Sequence, residues 1–286
     1  MKVAVTGSRG FIGTHLCKAL REKGWEVAEA DLEVGIDIAD REALERVFAG
    51  AEYVFHLAAL PRVQYSIEHP LETHEVNITG TLNVLQAAKM AGVKKVVYAA
   101  SSSAYGDQDA MPLVETMSAK PKSPYALQKH VGELYMKIFS DVYGLPTVSL
   151  RYFNVYGPGA PAEGAYALVI ARFLQQRIDG SPMTITGDGT QTRDFTHVRD
   201  IARANVLAAE SALVGNGEVI NIGTGKNASV NEIARLIGGP VEYVPARLEP
   251  HGTLADNQLA KKLLQWEPTV SLEEGIAELK KLAGLK

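Results

Sequence analysis

A single cysteine, Cys17, stands in 286 residues. One thiol can close no internal disulfide and build no cysteine-rich metal site, and its place between Leu16 and Leu20 reads as packing. Long apolar stretches are lacking too. The N-terminal run breaks at Thr6-Gly7 and nowhere do 18 uncharged apolar residues follow one another, so a membrane span and a secretory leader are not expected and a cytoplasmic chain is. Basic charge is sparse: no run exceeds pairs such as Lys94-Lys95 and the formal net charge is -4, so no nucleic-acid partner is expected. His56, His69, His74 and His197 show no paired ligand spacing, which predicts no metal site. Internal repeats and low-complexity tracts are absent, and the glycosylation-like triplets at Asn77 and Asn227 read as chance matches. What remains, 46% apolar and 22% charged residues, is the composition of a globular chain long enough for one large domain or two modest ones.

Short apolar runs recur at Val3 to Val5, Glu26 to Ala30, Tyr53 to Ala58, Lys95 to Ala100, Thr147 to Tyr152 and Val219 to Ile222. Helical patterns separate them, among them the stretch after Gly13 to about Lys23, Arg41 to Phe48 and Gly80 to Ala91. Strands alternating with helices predict an α/β fold, a doubly wound parallel sheet with its ligand at the strand C-terminal ends. After Tyr152 the alternation loosens around Pro158 and Pro161. The helix His197 to Ser211 and the strand Val219 to Ile222 then return to the sheet. Two interwoven units follow: residues 1–158 plus about 196–223, and a smaller C-terminal lobe of about 159–195 plus 224–286.

Between the first strand and the first helix lie Gly7, Arg9, Gly10, Phe11, Ile12 and Gly13. Glycines at 7, 10 and 13 allow a sharp turn, close approach of backbone N–H groups to a pyrophosphate, and packing of helix on sheet. Asp31 follows 18 residues after Gly13 at the end of the second apolar run, where a carboxylate accepts the ribose hydroxyls of NAD and repels the extra phosphate of NADP. Arg9 points the other way, because a guanidinium in the turn could pair with a 2′-phosphate. Asp31 stands where that phosphate would go, and NAD is the expected cofactor.

The strand Lys95 to Ala100 ends in Ser101-Ser102-Ser103, and a later segment reads Ser123-Pro124-Tyr125-Ala126-Leu127-Gln128-Lys129. With Pro124 in the first turn of a helix, Tyr125 and Lys129 share one face. A free phenol has a pKa of about 10, so a neighbouring ammonium and a positive nicotinamide ring are what let it act as a base near neutrality. A serine hydroxyl would share the substrate oxygen.

At these residues the chain resembles the extended short-chain dehydrogenases/reductases, and within them the nucleotide-sugar 4-epimerases. The likeness spans nearly the whole chain. It also rests on His56-Leu57-Ala58-Ala59, Asn77-Ile78-Thr79-Gly80-Thr81, Ala100 to Gly106, Arg151 to Pro158 and Gly187 to Asp200. The resemblance implies a Rossmann-like domain with Asp37 and Ile38 bordering the adenine, Leu57, Ala58, Ala59 and Asn77 lining the cofactor, and Tyr152 and Phe153 beside the nicotinamide. It implies Asn154, Arg193 and Arg247 as holders of the substrate diphosphate. Ser101 is the implied catalytic hydroxyl, with Ser102 as the neighbour that could replace it, and Tyr125 and Lys129 complete the set.

Related 4,6-dehydratases carry an acidic pair where this chain has Ser102 and Ser103, and related decarboxylases tend to have a glutamate at the second position, so 4-epimerisation through a 4-keto sugar is the implied reaction. Thr253 matches a gate position, and so small a residue leaves room for an acetamido group. The substrate is thus expected to be UDP-linked glucose or galactose, their N-acetylated hexosamines, or both. A homodimer packed through the helix of Tyr125 and the helix Gly80 to Ala91 is implied as well. One departure stands out: only five residues separate Asp31 from Asp37, where most relatives have about twenty more. This and Arg9 keep open a second reading, an NADP-dependent epimerase-reductase resembling GDP-fucose synthase. A third, a non-enzymatic dinucleotide sensor, is disfavoured because such proteins commonly lack the tyrosine or lysine.

Overall fold

The computed structural model describes residues 1–61, 63–162, 168–246 and 252–285. Its strands are β1 (Lys2–Thr6), β2 (Glu26–Ala30), β3 (Tyr53–His56), β4 (Lys95–Ser101), β5 (Thr147–Tyr152), β6 (Val155–Tyr156), β7 (Met183–Thr186), β8 (Thr192–Arg193), β9 (Thr196–His197), β10 (Asn216–Ile222), β11 (Ala228–Ser229) and β12 (Val241–Val244). Six of them form one sheet in the order β10-β5-β4-β3-β1-β2, parallel at every pairing. Parallel strands need crossovers, and the crossovers bury both faces. Val3 and Val5 accordingly join the core on one face, with Val97, Leu150 and Ile220, while Ala4, Val54, Val96 and Tyr98 join the core on the other.

Helices α1 (Phe11–Glu22) and α2 (Arg41–Phe48) are followed by α3 (Val63–Glu68), α4 (Pro70–His74) and a π-helical turn over Glu75–Thr79 that runs into α5 (Gly80–Ala91). The long helix α6 (Pro124–Tyr143) starts where the sequence places it: the Ser123 hydroxyl accepts from the Ala126 N–H at 3.2 Å, and Pro124 occupies the first turn. Gly144 closes it at φ +66. The strand order reverses between β1 and β3, and the C-terminal ends of β1, β3, β4 and β5 surround the site described below.

The remaining helices are α7 (Val169–Ile178), α8 (Val198–Glu210), α9 (Val230–Ile237), α10 (Gln258–Leu264) and α11 (Leu272–Leu282). Three two-stranded ladders, β6 with β9, β7 with β12 and β8 with β11, accompany a smaller core built on Phe173, Ile185, Ile233 and Ile276. Residues 224–286, expected in the smaller lobe, also send α10 and Trp266 back into the large core beside α8 and β10. Lys95 shows why a buried lysine is tolerated at the start of β4: its ammonium donates to the carbonyls of Ala208, Ala209 and Ser211, the negative end of α8. No helix of the described residues is long and apolar enough to cross a membrane.

Asp200 fastens the C-terminal segment to α8. Its buried carboxylate accepts from Thr269 N, Thr269 Oγ1, Val270 N and Arg203, while its carbonyl accepts from the Trp266 indole at 2.9 Å. Removing the carboxylate leaves four donors on half-buried or exposed residues without their acceptor, so Asp200→Ala is expected to lower the unfolding free energy by about 2 kcal/mol in urea titration.

Candidate active site

The glycine turn is an assembly of backbone contacts that leaves no room for side chains. A Cβ on Gly7, which has φ +68, would stand 2.7 Å from the Ala58 nitrogen, and one on Gly13 would stand 2.0 Å from the Gly7 carbonyl oxygen. Gly10 differs. Its Cβ would meet only the Gly7 oxygen, at 3.4 Å, so the space over Gly10 is open. Gly10 is also the N-cap of α1 and no side chain caps the helix there, which leaves N–H groups facing that space. Phe11 and Ile12, the first two residues of α1, are half-buried beside it.

Asp31 faces the same turn. Its carboxylate accepts from the Arg9 N–H at 3.0 Å and from the Glu33 N–H at 3.1 Å. The short stretch from Asp31 to Asp37 is a 3-10 turn, Leu32–Val34, closed by Gly35 at φ +77. Beyond it Asp37 is exposed and accepts from the Ala39 N–H, and Ile38 is buried over Gly80. The Arg9 guanidinium is paired with Glu29 at 2.7 Å.

His56 ties the loop after β3 to the helix of Tyr125 through a chain of hydrogen bonds whose direction can be worked out. Thr81 donates its hydroxyl proton to the Asn77 carbonyl at 2.7 Å, so towards His56 Nε2, at 2.9 Å, it accepts. The ring proton is therefore on Nε2, and Nδ1 accepts from Thr6 at 2.8 Å; Thr6 in turn accepts from the Ala58 N–H. At the far end Asn77 is buried, exchanges two bonds with the backbone of Leu60 and donates to Gln128 on α6. Leu57, Ala58 and Ala59 remain half-buried at the edge of the site, and Asn77 holds the residue that follows them, Leu60.

On α6, Tyr125 and Lys129 both turn towards β4. The Ser101 oxygen accepts twice from Ser103, from its N–H at 3.2 Å and its hydroxyl at 2.9 Å. Burial raises the pKa of the Tyr125 phenol, and the neighbouring Ser101 hydroxyl draws it down. Ser101 is thus the serine that meets the phenol, and Ser102 lies one residue on in the 3-10 turn Ser102–Tyr105. Lys129 is buried, donates to the Ala99 carbonyl at 2.8 Å and lies 4.9 Å from the centre of the Tyr98 ring. Burial lowers its pKa to about 7, against the upward pull of Glu133 one turn on. Glu133 is itself locked in a bidentate pair with Arg151, both bonds 2.7 Å, and Arg151 lies over the Tyr105 ring at 4.4 Å. Two supports had no signal in the sequence. Ser66 accepts from the Tyr125 N–H at 3.0 Å, and Ser103 aims Ser101.

Beyond the sheet, Asn154 and Arg193 line one cleft with Thr186, Gln191 and Phe195. Asn154 sits at φ +25, and its amide donates to the Asp194 carbonyl at 2.9 Å and to the Thr253 hydroxyl at 3.1 Å. Asp194, fully buried, accepts through its carboxylate from Thr224, Gly225 and Ala255, and so anchors the segment that carries Thr253. Tyr152 is buried and donates to Asn205 at 2.9 Å. Phe153 is fully buried against Tyr105, Leu113 and Ala255. Arg247 lies outside the described residues.

Burial depresses the His56 pKa to about 3. The unfolded chain then binds a proton near pH 6.5 that the folded chain refuses, so stability is full above that pH and falls as pH drops towards 3. This one ring is expected to cost about 2 kcal/mol between pH 7 and pH 5. Urea titrations at the two pH values measure the loss, and His56→Asn, less stable at pH 7, should show a flatter acid limb.

Residues 3–223 match the NAD dependent epimerase/dehydratase family. The UDP-glucose 4-epimerase of Mycolicibacterium smegmatis is 36% identical over 97% of this chain and 97% of its own length. Among solved structures, the UDP-glucose 4-epimerase of Thermotoga maritima with UDP-glucose has a TM-score of 0.91 at 37% identity, with 99% of each chain covered. A UDP-N-acetylglucosamine 4-epimerase from Methanobrevibacter ruminantium, in complex with UDP-N-acetylmuramic acid, has the same TM-score at 35% identity and 98% coverage of each chain. The likeness thus reaches well past the glycine turn into both lobes, and this chain belongs to the NAD dependent epimerase/dehydratase family.

Proposed function

We propose that the chain is an NAD-dependent UDP-sugar 4-epimerase. The observation that carries this reading is the placement of α6 against the end of β4, which sets Tyr125 and Lys129 beside Ser101: the Lys129 ammonium donates to the Ala99 carbonyl at 2.8 Å, and Ser103 braces Ser101. At 102 and 103, where water elimination would want an acid and a base, there are serines. The residues around the glycine turn fit NAD: the uncapped start of α1 for the pyrophosphate and the Asp31 carboxylate for the ribose. Bound NAD would take up and return the hydride of carbon 4 and add positive charge beside the phenol.

The chain's own groups manage the proton. Tyr125 accepts it from the 4-hydroxyl and later gives it back, Ser101 donates to the same sugar oxygen, and Lys129, drawn to near-neutral pKa by burial, favours the phenolate when charged. Epimerisation needs the ketone to present its other face, so the nucleotide must be held while the sugar turns. The cleft of Asn154, Gln191 and Arg193 suits the first task, with Arg193 as the cation for the diphosphate. A threonine at 253 suits the second, because it leaves room for an acetamido group.

Incubation with UDP-glucose and, separately, UDP-N-acetylglucosamine, with products resolved by chromatography, tests the reading: the matching galacto sugar is expected, and no conversion of either with NAD supplied would sink it. Thr253 variants divide size from hydrogen bonding. Thr253→Val, similar in volume, should raise KM for both sugars alike by several-fold through the loosened Asn154, whereas Thr253→Tyr should abolish turnover of the N-acetylated sugar selectively.

The reading includes a homodimer. Helix α6 exposes Leu127, Leu134, Ile138 and Val142, 47–65% accessible, along one stripe, and Met90 of α5 is 71% accessible. A second copy of α6 is the partner that such a stripe on a 20-residue helix fits. Sedimentation is expected to show a dimer, and Ile138→Glu with Leu134→Glu a monomer.

A further inference from the structure

The chain carries a feature at odds with its cofactor: an arginine inside the glycine turn, beside the position where a 2′-phosphate would lie. Arg9 and Asp31 occupy the same spot, for the Arg9 N–H donates to the Asp31 carboxylate at 3.0 Å. An available guanidinium there would pair with a phosphate dianion and offset the repulsion from Asp31. The structure shows what the guanidinium does instead. Arg9 Nε meets Glu29 Oε2 at 2.7 Å, and the other oxygen of Glu29 is paired with Arg21 on α1. Arg21 thereby keeps the Glu29 carboxylate turned towards α1 and the glycine turn. The Glu29 side chain is only 15% exposed, so this pair is less screened than one between two surface chains.

We propose that Glu29 is a cofactor-specificity residue. It holds the Arg9 guanidinium and so denies NADP the cation that the glycine turn would otherwise supply. Selection against the 2′-phosphate then has two parts, repulsion by Asp31 and capture of Arg9 by Glu29. Only the first was legible from the position of a carboxylate at the end of β2. The inference rests on the family's use of a dinucleotide at this turn, and it concerns which dinucleotide is taken.

The test is a competition read by bound cofactor, independent of turnover. Purified protein is equilibrated with a large equal excess of NAD and NADP, desalted and denatured, and the released dinucleotides are quantified by chromatography. Wild type is expected to retain NAD almost alone. Glu29→Gln, which keeps the shape and removes the charge, should raise the NADP-to-NAD ratio about tenfold, the worth of one charge-assisted bond to phosphate. Glu29→Ala should do the same. Arg9→Ala combined with Glu29→Gln should return the ratio to the wild-type value, because the gain requires the freed guanidinium. An unchanged ratio in both Glu29 variants would overturn the proposal, as would a gain that survives the loss of Arg9, which would reduce Glu29 to one more negative charge. Wild type retaining neither dinucleotide would instead remove the cofactor reading, and this proposal with it.

Discussion

Two missing side chains set the geometry on which the site depends. Because Gly7 has no Cβ, the backbone at Leu57 and Ala58 lies against the end of β1, and because Gly13 has none, α1 seats its first turn on the Gly7 carbonyl. Three elements far apart in sequence therefore converge within van der Waals distance, and the unfilled volume above them lies over Gly10 alone. A methyl group at either contact would push helix from sheet or loop from strand by an ångström or more, well beyond what a packed interior absorbs without cost. The helix terminus, the half-buried loop Leu57 to Ala59 and the carboxylate of Asp31 are aligned only while those backbones touch.

Behind Ser101 and Tyr125 the protein has placed polar side chains where a hydrophobic core would serve stability better. Lys129, Glu133 and Arg151 form one buried line, and Arg151 continues through the Tyr105 ring to a phenol that donates to Asn221 at 2.7 Å. Asn221 then bonds the carbonyls of Leu113 and Asp256. The charge environment of Lys129 and the seating of the Leu113 and Asp256 segments thus belong to one connected network. Such networks specify a single arrangement because each member left unpaired would be costly in a medium of low polarity.

Much of this was readable in advance, for identifiable reasons. Strand and helix periods placed all six sheet strands, and Ser123-Pro124 announced the start of α6, because those signals are local. The glycines at 7 and 13 were legible because only one residue type satisfies their constraint. The supports were not. Ser66, Ser103 and Asp194 act through partners brought near by the fold, and a lone serine or a carboxylate beside an arginine has many duller explanations. Asp194 drew no notice of its own in the sequence, yet its buried carboxylate accepts from Thr224, Gly225 and Ala255 and so ties three segments together. Thr253 read as a matter of size, and its hydroxyl proves to hold Asn154 as well. The short step from Asp31 to Asp37 looked like a deletion; a 3-10 turn ending in a left-handed glycine bridges it.

The order of strands in the sheet has a bearing on how the chain is made. β5 occupies an interior position only because β10, some 64 residues later, lies alongside it from Asn216 to Ile222. Trp266 and α10, which close the core on that side, come later still. A growing polypeptide that has left the ribosome as far as Ser211 therefore carries a nearly complete sheet whose last edge, Thr147 to Tyr152, fully buried in the finished fold, is unpaired. That edge is the exposed liability of this topology during synthesis, and it is the place where a chaperone, or a second nascent copy, would find the molecule unfinished.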